Sequence, residues 1–182
     1  MTTIMEAAKG ILSTYVDDEP KSPIHVGEVM NLWTYHTVLT EINRFVEMSL
    51  NTTRDDELVV ALKNSYNDCR GHIQEVESLF RDEGIPLPPT SEKKPHSNPE
   101  DVPLGVKMTD DEIANGISVK QVSTLTLCAT GLAQSIRSDI GEMWLRFLTD
   151  RVKFGAYFMP LLRKRGWIKV PPSYYPPGAP QH

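Results

Sequence analysis

The sequence predicts an all-α protein, a bundle of four helices arranged as two antiparallel hairpins. Proline placement is the first reason. Six of the 14 prolines lie between Pro86 and Pro103 and five between Pro171 and Pro180. Proline removes a backbone donor and clashes inside a helix, so these stretches are connection and tail. The second reason is that the two proline-poor blocks, roughly 24–84 and 109–166, carry apolar residues at helical spacing. The third is a weak repeat. Arg81-Asp82-Glu83-Gly84-Ile85-Pro86-Leu87-Pro88-Pro89 resembles Arg163-Lys164-Arg165-Gly166-Trp167-Ile168-Lys169-Val170-Pro171-Pro172, about 82 residues further on, so each block ends in a similar way.

The first helix is expected over about 24–49. Ser22-Pro23 supplies a cap and a first-turn proline, and Val29, Leu32, Leu39, Ile42 and Val46 form its stripe. Asn51-Thr52-Thr53 breaks the pattern. A second helix over about 55–83 starts on Asp55 and Asp56, acids suited to a positive helix end. It carries Leu58, Leu62, Tyr66, Cys69, Ile73, Val76 and Phe80, and Gly84 closes it. Thr109-Asp110-Asp111-Glu112 reads as a capping box opening a third helix, about 110–136. Ser138-Asp139 is expected to cap a fourth, about 139–165, striped by Ile140, Trp144, Phe147, Phe154, Phe158 and Leu161 and ended by Arg163-Lys164-Arg165-Gly166. Pro160 should bend that helix or end it early.

Short turns join helices 1–2 and 3–4, whereas residues 85–108 separate helices 2 and 3. A helix of about 26 residues is ~39 Å long, a span that this Pro-rich crossover can cover. Helix 3 can then run parallel to helix 2, the ferritin-like form of a four-helix bundle. The resulting division is an N-terminal extension (1–21), the bundle (22–167) and a Pro/Tyr-rich tail (168–182).

Composition narrows the function. With 40% hydrophobic and 24% charged residues, the chain can bury a core. A net charge of −5 argues against a dedicated nucleic-acid binder. No apolar run is long enough to cross a membrane, and Met1-Thr2-Thr3-Ile4-Met5-Glu6 lacks signal-peptide features, so a cytoplasmic protein is expected. Nucleotide-binding glycine loops, nucleophile elbows and Cys-x-x-Cys pairs are all missing, so no catalytic constellation is expected.

Ferritin-like bundles often hold two metal ions on carboxylates and Glu-x-x-His pairs from facing helices. Inward candidates here are Glu28, with His25, Tyr35 and His36 nearby, then Asp68, His72 and Glu75, then Asp150. Between Ile113 and Arg137 helix 3 has no Asp, Glu or His, and Phe154 stands where the repeat would place a second His72. A dinuclear centre is therefore not expected, and the preferred reading is no metal and no cofactor, with these groups satisfied by hydrogen bonds or ion pairs. The alternative is a degenerate mononuclear or small-ligand site using Glu28, Asp68, His72 or Asp150. Cys69, three residues before His72, would be an activated thiol only if exposed; the preferred reading of Cys69 and Cys128 is packed core.

From Val119 to Ile136 the only charge is Lys120, among Ser123, Thr124, Thr126, Ala129, Thr130, Gly131 and Ala133. A helix without a charged face is covered on more than one side, which suggests a homodimer through helix 3. The basic residues at 163–165 match a helix C-terminus, so neither nucleic acid nor membrane insertion is implied. The tail, Val170 to Gly178, is polyproline-like and aromatic; either its tyrosines lie in a groove of the bundle or it is an interaction arm.

Five segments together resemble a known family: Ile24-His25-Val26-Gly27-Glu28-Val29-Met30-Asn31-Leu32-Trp33, Gly84-Ile85-Pro86-Leu87-Pro88-Pro89, Thr109-Asp110-Asp111-Glu112-Ile113-Ala114-Asn115-Gly116, Gln134-Ser135-Ile136-Arg137-Ser138-Asp139 and Arg165-Gly166-Trp167. The resemblance runs from about residue 14 to 178. The family is of unknown function and occurs in spore-forming bacteria. It is ferritin-like in fold, and its members are often labelled as candidate spore coat proteins. The resemblance implies a context only, a bacterial cell that sporulates; it makes the spore coat, after synthesis in the cytoplasm, the alternative to a cytoplasmic location and other spore proteins candidate partners. It implies no catalytic residue. Many relatives look like two such bundles in tandem, and this chain is one. The expected function is a non-enzymatic structural or interaction protein.

Overall fold

The computed structural model describes residues 21–177 together with Glu6 and Gly10; the remainder of the expected N-terminal extension and the end of the tail lie outside the described residues. Among the described residues there are four helices and no strands. They are α1 (Val26–Leu50), α2 (Asp56–Asp82), α3 (Asp110–Gln134) and α4 (Ser138–Arg165). Helix α1 packs on α2 and α3, and α4 packs on α3 and α2, so the bundle is a closed square. The direction of α3 is set by its contacts with α1: Gly116 faces Phe45 near one end, and Gln134 bonds Asn31 at 2.9 Å near the other. Helices α1 and α3 are therefore antiparallel, and α2 and α3 run the same way on opposite corners. The crossover allows this by lying along the second half of α1, where the Ser91 hydroxyl and the Lys94 amide donate to Glu41 and Glu47. Further along, the Ser97 amide donates to Asn51.

The caps explain the helix ends. Asp55 Oδ1 accepts the Leu58 amide at 2.9 Å, and Thr109 and Glu112 form the reciprocal box that opens α3. The two hairpins also end alike. Gly84 and Gly166 have φ of 69° and 70°, and the amides after them reach back to Phe80 and Leu162 at 2.7 and 2.9 Å. Only glycine takes that left-handed turn without strain, so the repeat seen in sequence is a repeated helix stop.

Three boundaries differ from expectation, and one side chain accounts for them. Helix α1 begins at Val26, not at Ser22-Pro23, because His25 is its N-cap and gives its amide to Glu28 Oε2 at 3.1 Å. Helix α3 stops at Gln134 rather than 136, and α4 begins at Ser138 with Arg137 as N-cap. The amides of Ile136 and Arg137 both turn to Glu28 Oε1 at 2.9 Å instead of continuing a helix. Helix α4 continues through Pro160 to Arg165, so the proline does not end it. The ring costs α4 one internal hydrogen bond, on an exposed face.

Packing is tightest where α3 meets α4. A methyl group on Gly131 would overlap the indole of Trp144, which is buried and held edge-on to Tyr35 at 5.0 Å. Gly131→Ala should gain about 1 kcal/mol of helix propensity and lose more through overpacking. The expected net result is destabilisation by about 2 kcal/mol, read from urea unfolding. An unchanged or raised midpoint would show that the indole can move aside.

Candidate functional site

The polar groups of the core meet at mid-bundle. Tyr35 comes from α1, His72 and Cys69 from α2, Gln121, Thr124 and Cys128 from α3, and Asp150 and Arg151 from α4. Tyr35, Cys69, Cys128 and Arg151 are fully buried, because each occupies a stripe position on its helix. Tyr35 Oη lies 3.0 Å from His72 Nδ1, and His72 Nε2 lies 3.4 Å from Asp150 Oδ2. The imidazole stacks on Phe147 with ring centres 4.1 Å apart. Burial, reinforced by the positive charge of Arg151, pushes the His72 pKa down to about 4. At neutral pH the ring is uncharged. The phenol donates to Nδ1, and Nε2–H donates to the carboxylate. The result is a hydrogen-bonded chain from the half-exposed Asp150 to the buried phenol.

The two thiols and the phenol here are held in their protonated forms. Burial raises the Cys128 thiol to about 11, and it raises the Cys69 thiol and the Tyr35 hydroxyl as well. The exposed Cys69 thiol considered from sequence is overturned, because Cys69 lies at the bundle centre with 0% exposure. Its sulfur instead accepts from Arg151 Nη1 at 3.6 Å. Asp68 faces the same guanidinium, with its Oδ2 3.6 Å from Nη2.

The four metal-ligand candidates do not converge. Glu28 sits where α1 begins and holds three backbone amides. Asp68 faces Arg151, while His72 and Asp150 face each other. Elsewhere, His36 pairs with Glu77 at 3.2 Å and Glu75 with Arg146 at 3.0 Å. Among the described residues no three His, Cys, Asp or Glu side chains group as metal ligands would.

Two arginines carry much of this arrangement, and sequence reasoning assigned a role to neither. Arg137 is buried in the turn between α3 and α4. It grips Asp139 with two nitrogens at 3.1 and 2.8 Å, bonds Glu83 at the C-cap of α2 and donates to the Ser22 carbonyl. That pairing pulls the Asp139 carboxyl down to about 2. Arg151 fills the stripe position between Phe147 and Phe154. The available signal was the repeat itself, since Arg151 and Cys69 stand 82 residues apart and meet across the core.

Fold and centre together define a class: an all-α four-helix bundle with a buried Tyr-His-Asp chain and a buried arginine at mid-bundle. The chain belongs to a family whose description is "Protein of unknown function (DUF3231)", whose model matches residues 16–179. It is 33% identical over 165 residues to the uncharacterized protein YvdQ of Bacillus subtilis strain 168, covering 91% of this chain and 95% of that one. A crystal structure from Bacillus halodurans C-125, described as "a putative spore coat protein (BH2358)", is similar with a TM-score of 0.82 and 29% identity. It covers 85% of this chain and 98% of its own. No helix among the described residues is long and apolar enough to cross a membrane.

Proposed function

We propose that this chain is a non-enzymatic structural protein that assembles as a homodimer through the side of the bundle formed by α1 and α3. The observation that carries this is a difference between two sides. The α2–α4 side is dense with ion pairs, among them Glu57–Lys164, Glu75–Arg146 and Asp150–Lys153. On the α1–α3 side, the stretch from Val26 to Thr40 exposes no charge, since Glu28 and His36 are both buried. Past its acidic first turn (Asp110, Asp111 and Glu112), helix α3 adds a single charge, Lys120, whose amine rests 4.6 Å from the Phe45 ring centre. The outer residues there are Val26, Met30, Trp33, Val119 and Val122, all exposed, set among small threonines and alanines.

A second copy fits this surface better than a charged partner does. Two chains of net charge −5 repel, so like copies meet most easily on the side that carries the fewest exposed charges. Depletion of charge is also what marks the centre of an interface. A two-fold axis lets the antiparallel α1–α3 pair face its own copy with the same patch on both partners. The ferritin-like connection and the spore coat label of the Bacillus halodurans protein support a packing role in a sporulating cell, with other spore proteins as further partners. The engaged and deactivated groups at the bundle centre support the absence of catalysis and of a cofactor. Sedimentation equilibrium should give twice the 20.5 kDa chain mass. Val122→Lys should weaken the dimer by roughly 100-fold, giving monomer at micromolar concentration. A monomeric wild type, or a Val122→Lys dimer of unchanged affinity, overturns the proposal.

A further inference from the structure

An apolar groove opens on the α2–α4 side, among the ion pairs that otherwise cover it. It holds about 570 Å³ and is lined by Val60 from α2 and by Tyr157, Pro160 and Leu161 from α4, with the Glu57–Lys164 pair beside them. Val60 and Tyr157 are 49% and 51% exposed, so half of each apolar side chain is left in water.

The segment that precedes the bundle is placed to reach this groove. Lys21 pairs with Asp139 at 2.9 Å, where α4 starts, and the Ser22 carbonyl accepts from Arg137, which also holds Glu83 at the C-cap of α2. Going back from α1, the chain therefore crosses to the α2–α4 edge, at the end opposite the groove. From Asp139 to Pro160 is about 32 Å along α4. Twenty residues stand before Lys21, and among them Ile4, Ala8, Ile11, Leu12 and Tyr15 recur at helical spacing as one stripe. Glu6 and Gly10 are helical and exposed, and at about 100° per residue both fall opposite that stripe. Asp17, Asp18, Glu19 and Pro20 then end the pattern. A helix from residue 5 to 15 covers about 15 Å and an extended run from 15 to 21 about 20 Å, together enough to reach the groove.

We propose that residues 4–15 form an amphipathic helix that lies along the α2–α4 side of its own chain and seats the start of its stripe, Ile4 and Ala8, in this groove. Reaching the α1–α3 patch instead would require the chain to double back at Ser22, against the direction its anchors set. The docked helix leaves the α1–α3 side open to a second copy, so it does not depend on the proposed dimer.

Hydrogen exchange of the full chain, read by peptide mass, tests the docking. Amides of residues 5–15 should exchange at least about tenfold more slowly than in the same segment as a free peptide. Tyr157→Lys, at a half-exposed position outside the core, should remove that protection while the bundle helices keep theirs. Met30→Lys, on the α1–α3 side, should leave it unchanged. The cysteine pair Met5→Cys with Val60→Cys should close a disulfide within one chain under mild oxidation, since Cys69 and Cys128 are buried and do not compete. Unprotected amides in the wild type, protection that survives Tyr157→Lys, protection lost in Met30→Lys, or a disulfide formed only between chains would each overturn the assignment.

Discussion

Glu28→Ala is expected to destabilise the fold by about 3 kcal/mol. The carboxylate is 2% exposed and accepts amides from His25, Ile136 and Arg137, so its loss orphans donors at three helix ends together. Hydrogen bonds to charged acceptors are worth about 1.5–3 kcal/mol each, and relaxation with water recovers part of the loss. Glu28→Gln keeps one acceptor oxygen and should lose about 1 kcal/mol. Urea unfolding gives both values, and elemental analysis of native protein should show the same metal content in wild type and variant. A cost under about 0.5 kcal/mol for the alanine variant would place Glu28 among ordinary surface residues. A stoichiometric metal lost with Glu28 would return it to the role of ligand.

Acidification is expected to cost nearly as much through His72. Its pKa is 6.5 when exposed and about 4 in the fold, lowered first by burial and then by Arg151. The unfolded chain therefore binds a proton that the folded chain refuses. The His72 contribution is complete above pH 6.5 and is lost progressively as the pH falls to 4. A shift of that size corresponds to about 3 kcal/mol. Other groups facing the ring modify the slope. Asp150 opposes the shift, Arg146 adds to it, and Tyr35 stays protonated throughout. Asp68, raised by burial, works against the loss as it takes up its own proton. Asp139, held at about 2 by Arg137, adds a separate loss below pH 4. In urea titrations from pH 7.5 to 4, His72→Gln should flatten the profile. An equally steep profile in that variant would move the acid response to other groups.

The bundle was largely legible because its signals are local. Apolar spacing, acidic starts, the Thr109–Glu112 box and the two closing glycines act within a few residues of chain, and each lies where the structure has a helix or an end. The Pro-rich crossover allowed the direction of α3 to be read, because a chain of that length can run back along the bundle. The errors share one cause. Glu28 sets all three ends: it caps α1 locally through the His25 amide, three residues away, but it fixes the end of α3 and the start of α4 across 108 and 109 residues of sequence, where local signals are blind. The tail gave two alternatives, and Tyr174 and Tyr175 stand exposed, while Trp167 and Ile168 are the residues that pack on the core.

The centre was less legible because residue type misleads there. An arginine between two phenylalanines reads as a surface residue by habit, and Asp150 beside it looked like the inward group. The helix turns the opposite way, burying Arg151 and leaving the Asp150 side chain 43% exposed. One position along a helix is a rotation of about 100°, enough to exchange core for solvent. The sequence by itself therefore determined the four helices, their pairing and the single charge of α3 from Val119 onward, since these follow from composition and spacing along one chain. Only the tertiary structure decided which polar groups face one another, because that depends on rotations and crossings set by packing, to which helix periodicity is blind.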